Sequence, residues 1–328
     1  MKNFLFPFVL LYSSLLLSQN ILVDSNTFTP QQLIEDILVD SDCITNVLVA
    51  NVIGGDFGGS DQSFGYFDAT GTTFPMQSGI VLSTGRLENV PGPNTNLSDD
   101  DATDWDGDSD LEIVLEESNK YHATIIEFDF ESVSDQISFR YLFASEEYQE
   151  GNSNTCNFSD LFGFLIRPVG SSVYENIALV PGTSTPVKVT TVHSGIPGSC
   201  DPINEEFFGV FNDSAAPINF NGQTVVLTAS TTVVPNESYH VKLVIADEQN
   251  YRYDSAVFLE AGSFLPTINL GNNRLFTTNN PLCENETLFL DATQSGAISY
   301  TWFKDGLPIA GETNPTYTIV DTGVYSVE

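Results

Sequence analysis

The sequence predicts an all-β protein, an antiparallel β-sandwich of jelly-roll-like type with one short N-terminal helix, followed by a truncated Ig-like β-sandwich. Three observations predict it. Apolar residues recur with a period of two along most of the 328 residues, the mark of strands buried on one face. Clusters of Gly, Asn, Asp and Pro interrupt these runs at short intervals, as turns do in sandwiches. Only one segment has the spacing of an amphipathic helix, so no alternation of strand and helix is available to build a parallel sheet.

Taken in order, residues 1–18 read as a secretory signal. Lys2 gives a positive start, an apolar run extends from Phe4 to Leu17, and Ser18 is a small residue where cleavage can occur. A membrane anchor is the alternative, but the run is shorter than the roughly 20 residues a spanning helix needs, and polar sequence follows at Gln19. No Cys stands near the cleavage point for lipid attachment. The expected product is an exported protein with no transmembrane segment in the mature chain.

The helix is expected over 29–38. Thr29 is its N-cap, Pro30 occupies the first turn, Gln32 completes a capping box, and Leu33, Ile34, Ile37 and Leu38 share a face. The glycines of Gly54-Gly-Asp-Phe-Gly-Gly59 precede no helix, so a wide hairpin accounts for them better than a phosphate cradle. Strands are expected over 122–130, where Ile126, Phe128 and Phe130 oppose Glu127 and Asp129, and over 136–144, where Ile137, Phe139, Tyr141 and Phe143 share a side. Further strands are expected at 161–166, 186–192, 224–234, 238–246 and 255–261. The sandwich would occupy 19–265 and a polar connector 266–280. An incomplete Ig-like unit over 281–328 would carry Trp302 in an early core strand and Tyr325 at a strand corner. Val327 stands where antibody-type domains place a second Cys. The last strand is cut at Glu328, which suggests a longer protein attached through further C-terminal sequence.

Charge and cysteine use narrow the function classes. With 44 Asp and Glu against 10 Lys and Arg, the net charge is −34, so nucleic acid and anionic membrane surfaces are repelled. The chain is nevertheless 41% hydrophobic and holds 24 Phe and 12 Tyr, which describes a folded acidic protein and not a solvated tail. Export permits disulfides. Cys156 and Cys200 lie in polar loops and form the natural pair, which leaves Cys43 and Cys283 single, although four cysteines allow three pairings.

The densest acidic stretch supplies a candidate metal site. Asp104, Asp106, Asp108 and Asp110 alternate, with Glu112 beyond. In a looped backbone their carboxylates would converge, and Ca2+, with its variable oxygen shell, would relieve the repulsion. The spacing is not that of an EF-hand, and the plain alternative is a solvated acidic loop. A second acidic set, Glu146, Glu147, Asp247 and Asp254, stands at strand ends. Facing across a cleft, such carboxylates could hydrolyse glycosides, but Glu146 and Glu147 are adjacent and share a cleft only if the strand bends. An edge loop or a further cation ligand is the simpler account. His122, His193 and His240 are isolated and read as strand residues.

Several phrases in order give a family resemblance: Gly79-Ile-Val-Leu-Ser-Thr-Gly85, Pro91-Gly-Pro-Asn94, Gly107-Asp-Ser-Asp-Leu-Glu112, Phe143-Ala-Ser-Glu-Glu-Tyr148, Asp160-Leu-Phe-Gly-Phe164, Ile218-Asn-Phe-Asn-Gly222 and Tyr253-Asp-Ser-Ala-Val-Phe-Leu259. Together they make residues 27–265 resemble the choice-of-anchor L domain of bacterial exported proteins. The resemblance implies a surface domain followed by interchangeable modules and C-terminal sorting signals, often of type IX secretion, with no assigned activity. The expectation is an adhesin-like surface protein that binds an extracellular glycan or protein and is not an enzyme. The Ig-like unit would be its spacer. A secreted carbohydrate-active enzyme and a purely structural surface-layer component are the alternatives.

Overall fold

The protein is represented by a computed structural model that describes residues 20–39, 41, 43–58, 61–248, 251–268, 270–271, 274–276, 280–283, 286–293 and 299–328. The expected signal stretch 1–18, Gly59 and part of the connector 266–280 lie outside the described residues.

The strands of the larger unit are β1 (Leu22–Asp24), β2 (Ile44–Ile53), β3 (Phe64–Asp68), β4 (Ser78–Ser83), β5 (Asn119–Ser132), β6 (Gln136–Ser145), β7 (Leu161–Pro168), β8 (Glu175–Asn176), β9 (Phe208–Phe211), β10 (Gly222–Thr224), β11 (Leu227–Thr232), β12 (Ser238–Glu248), β13 (Ser255–Glu260) and β14 (Leu265–Pro266). One sheet runs β1-β3-β4-β13-β6-β10-β9, with β11 and β14 also pairing with β6; the other runs β2-β5-β12-β7-β8. The pairings in both are antiparallel, for example Val257 opposite Phe143 and Val241 opposite Phe128. The fold is thus all-β and sandwich-like, as the period of two indicates.

Alternation decides which side chains fill the space between the sheets. Ile137, Phe139, Tyr141 and Phe143 of β6 meet Phe128 and Phe130 of β5 and Phe162 and Phe164 of β7 in the main core. Phe139 stacks on Phe264 with ring centroids 4.4 Å apart. The intervening residues Leu142 and Ala144 join a second core on the opposite face of their sheet, with Phe67, Phe74 and Phe258. Strand β12 is buried on both faces because it is central in its sheet and covered outside as well.

The expected helix is present, but in two parts. Pro30–Gln32 (α1) is α-helical, with Thr29 and Gln32 forming the capping box, and Leu33–Val39 continues as π-helix. A second helix, α2 (Ser109–Leu115), was not expected. Asp108 caps it through Oδ1, which accepts from the Leu111 N–H at 2.8 Å. Leu111 and Leu115 then cover Ala123, Ile125, Val244 and Ala246 on the outer face of the five-stranded sheet.

Three other expectations need correction. Residues 186–192 form no strand; the Thr191 hydroxyl accepts from the Lys188 N–H and closes a 3-10 turn at Val189–Thr191. The described glycines Gly54, Gly55 and Gly58 belong to no hairpin of β2 with β3, because these two strands lie in different sheets. Residues 224–234 hold parts of two strands, β10 and β11, both paired with β6.

The C-terminal unit has its own small core of Leu290, Ala292, Trp302 and Ile319, against which Ile268 and Leu270 also pack. Strands β15 (Leu288–Asp291) and β18 (Thr316–Ile319) pair, as do β16 (Trp302–Lys304), β17 (Leu307–Pro308) and β19 (Tyr325–Val327). Trp302 is fully buried and donates from Nε1 to the Asn314 carbonyl at 2.8 Å. The Tyr325 hydroxyl donates to the Asp321 carbonyl four residues upstream, as a tyrosine corner requires. Among the described residues no helix is long and apolar enough to cross a membrane.

Candidate functional site: a buried carboxylate cluster

Strand direction brings several acidic residues to one end of the sandwich. β6 ends there at Ser145, opposite Ser255 where β13 begins, and β12 finishes there beside Leu161, where β7 begins. Glu146 and Glu147 follow β6, Asp160 precedes β7, Asp247 is the penultimate residue of β12, and Asp254 precedes β13. The chain turns after Ser145, so the two adjacent glutamates are both buried, at 1% and 6% exposure, while Asp160, Asp247 and Asp254 are fully buried.

Each carboxylate is fixed by specific donors. Glu146 Oε1 accepts from the Ser98 N–H at 3.0 Å, and Asp254 Oδ2 accepts from the Ser98 hydroxyl at 2.6 Å and the Asp100 N–H at 3.2 Å. Glu147 Oε2 accepts from the Ser145 hydroxyl and the Asp160 N–H. Asp160 Oδ2 accepts from the Ser255 hydroxyl at 2.6 Å. Asp247 Oδ2 lies 2.8 Å from Nδ1 of His122, whose Nε2 faces Asp101 at 3.1 Å. Trp105 stacks on the His122 ring at 4.5 Å.

Burial pushes all five carboxyl groups above their usual range, Glu146 up to about 8. Mutual repulsion adds to this: Asp254 acts on Glu146, Asp247 on Glu147, Asp160 and Asp254, and Glu147 on Asp160. Burial also pushes His122 below its ordinary value, against the hydrogen bond and charge of Asp101. Three buried oxygens have no hydrogen-bond partner among the described residues: Glu146 Oε2, Asp247 Oδ1 and Asp254 Oδ1. Buried polar atoms in folded proteins are nearly always satisfied, so three orphans in one cluster need a physical reason.

Gly85 is part of the same construction. A Cβ there would fall 1.9 Å from Asp254 Oδ2, so only glycine lets that carboxylate lie against the chain. Gly85→Ala should cost about 1–3 kcal/mol through this overlap, measured by urea unfolding.

Of the other acidic set, Asp108 and Asp110 converge on a lysine and the rest stand apart. Asp104 is exposed in a left-handed turn with φ 59°, and Asp106 is exposed in an isolated bridge to Tyr121. Asp108 and Asp110 both meet the Lys242 ammonium, at 2.8 and 2.5 Å, while Glu112 accepts from the Ser118 hydroxyl at 3.4 Å. Trp105 separates Asp104 from Asp106 in sequence and turns inward. Lys242 therefore already supplies a positive charge to the part of this stretch that is buried. Sequence reasoning also left out Asp160 and Ser98; it places His122 in a strand, where it stands, but as an isolated residue, whereas its ring meets Asp247 and Asp101. The signal available for Asp160 was its place immediately before a strand, the same place that Asp254 holds.

The Cys156–Cys200 disulfide forms, and Cys43 and Cys283 are free and exposed. His240 lies in β12 between Asp129 and Glu127, whereas His193 forms an isolated bridge to Ile203 and accepts on Nδ1 from the Gly195 N–H at 3.0 Å.

The fold and the cluster define a two-sheet antiparallel domain whose strand ends enclose an acidic, strongly buried locus. The chain belongs to the choice-of-anchor L family, whose model, described as Choice-of-anchor L domain, matches residues 22–265. Membership makes it a bacterial exported protein of the surface-anchored kind. No match to a curated protein was found.

Proposed function

We propose that the protein is a surface-displayed, adhesin-like binding module, stabilised by a divalent cation, with the C-terminal Ig-like unit as its spacer. The observation that carries this reading is the gathering of the carboxylates: Glu146, Glu147, Asp160, Asp247 and Asp254 lie buried around one locus, and do not face each other across an open cleft. A glycosidase pair must reach both sides of a bound sugar, whereas a buried acidic locus suits a structural ion. Calcium fits an all-oxygen donor set.

Beside the locus is an open hollow of about 310 Å3 lined by Tyr148, Gln149, Glu150, Phe211, Asn212, Asn221 and Tyr253. Asn221 ties the hollow to the cluster by donating to the Glu146 carbonyl at 2.8 Å, and Tyr253 directly precedes Asp254. Aromatic faces with amide donors and acceptors suit a hydroxyl-rich ligand, so the ligand class we favour is an extracellular glycan.

The test is retention of the full chain on a panel of immobilised glycans. We expect saturable binding that falls about tenfold, the loss of roughly 1.4 kcal/mol, in a Gln149→Ala, Glu150→Gln variant. Release of sugar from the glycans would support the carbohydrate-active enzyme instead. Retention of proteins but no glycan would replace the ligand class, and identical binding by the variant would remove the hollow from the account.

A further inference from the structure

The three orphaned oxygens share a pattern that the fold does not explain. Glu146, Asp247 and Asp254 are each held on one oxygen by a protein donor: the Ser98 N–H, the His122 ring, and the Ser98 hydroxyl with the Asp100 N–H. In each case the other oxygen is buried and makes no standard hydrogen bond among the described residues, although the Thr84 hydroxyl also acts on the Asp247 carboxylate. Fixing one oxygen orients the second, which is how outer-shell donors prepare carboxylates for a metal.

We propose that Glu146 Oε2, Asp247 Oδ1 and Asp254 Oδ1 are ligands of a calcium ion at the strand-end locus, with Glu147 and Asp160 adding charge around it. The proposal rests on reading this end of the sandwich as cation-stabilised, and it places the ion here and not on the Asp104–Glu112 stretch. There, Lys242 already meets Asp108 and Asp110. The donors are all oxygens, and the neighbouring imidazole is turned to Asp247 and Asp101 with both ring nitrogens engaged, so a zinc-type site is disfavoured. Among the described residues no three side chains stand as a ready-made coordination shell, so binding draws repelling carboxylates together. Ca2+ tolerates such adjustment better than Mg2+, which demands near-ideal octahedral geometry.

The experiment is thermal unfolding of the full chain in EDTA and then in millimolar Ca2+, beside Asp247→Asn, Asp254→Asn and Asp104→Asn, Asp106→Asn double variants. A ligand bound by the native state alone raises the midpoint by mass action. We expect a rise of about 5 °C or more in the parent and in the Asp104/Asp106 variant. The Asp247/Asp254 variant should show no rise, yet match or exceed the parent in EDTA because two repelling charges are gone. Calorimetric titration of the parent should give one Ca2+ per chain, which keeps the test valid if a variant fails to fold. No shift and no binding heat in the parent overturns the site. So does a shift that survives in the Asp247/Asp254 variant and is lost in the other. Glycan retention that persists without any Ca2+ response would sink the site and leave the binding function standing; Ca2+ binding without glycan retention would do the reverse.

Discussion

Replacing Cys156 and Cys200 together by serine should lower the stability of the protein by about 4 kcal/mol, because the bond closes a loop of 44 residues whose freedom in the unfolded chain it removes. The enclosed segment includes β7, β8 and the turn at Val189–Thr191, so its detachment would loosen the edge of the five-stranded sheet as well as the acidic end. The Tyr148 hydroxyl, which donates to the Val192 carbonyl at 2.8 Å, would remain as a local tie between the same regions. Chemical unfolding with and without reductant measures the effect. A loss below about 1 kcal/mol would mean that the reduced unfolded state keeps this loop compact.

The second large effect is expected at Lys242. Its ammonium lies within 2.8 Å of Asp108, 2.5 Å of Asp110 and 3.6 Å of Glu127, and the side chain is only 6% exposed. Burial alone would lower its pKa, but the hydrogen bonds to Asp108 and Asp110 raise it above the ordinary value. Lys242→Met leaves Asp108 and Glu127 without this charge and should cost about 3 kcal/mol, the lower end for a broken buried pair because Asp110 is partly exposed. Adding Asp108→Asn should restore part of the loss: asparagine still caps α2, and the buried charge is gone.

The same group sets a pH dependence. Burial favours the neutral acid at Glu127, but hydrogen bonds from His240 and Asn51 and the charge of Lys242 overcome it and hold the pKa at about 2. A depressed carboxylate pKa stabilises the fold above the unfolded value, 4.5, and that contribution is lost as pH falls through about 2. Lys242→Met should therefore begin to lose stability at higher pH than the parent, read from unfolding midpoints between pH 5 and 2.

The strands were legible because their alternation is local. Ile126, Phe128 and Phe130 in β5 and Phe139, Tyr141 and Phe143 in β6 show their inward faces in the order of residues alone, and the Trp302 and Tyr325 pattern did the same for the C-terminal unit. The capping box at Thr29 and Gln32 was equally direct. Helix α2 was hidden because Asp108 reads equally well as an N-cap and as a metal ligand, and the choice depends on Lys242, 134 residues away. For the same reason the Asp104 to Glu112 stretch looked like a place where charges meet. The cluster was only partly visible: Glu146, Glu147, Asp247 and Asp254 were recognisable as strand-end carboxylates, but their convergence depends on the pairing of β6 with β13 and of β12 with β7. Asp160 enters through the pairing of β12 with β7 and His122 through that of β12 with β5, which no local pattern records.

Terbium luminescence tests the central claim most directly. Tb3+ replaces Ca2+ at oxygen sites, and Trp105 stacks on the imidazole that contacts Asp247, so an ion at the locus has an indole donor close by. The account predicts saturable emission excited through tryptophan that is displaced by Ca2+, lost in Trp105→Phe and in Asp247→Asn, Asp254→Asn, and retained in Asp104→Asn, Asp106→Asn. Emission that is absent from the parent, or that survives in the Asp247/Asp254 variant, would contradict it.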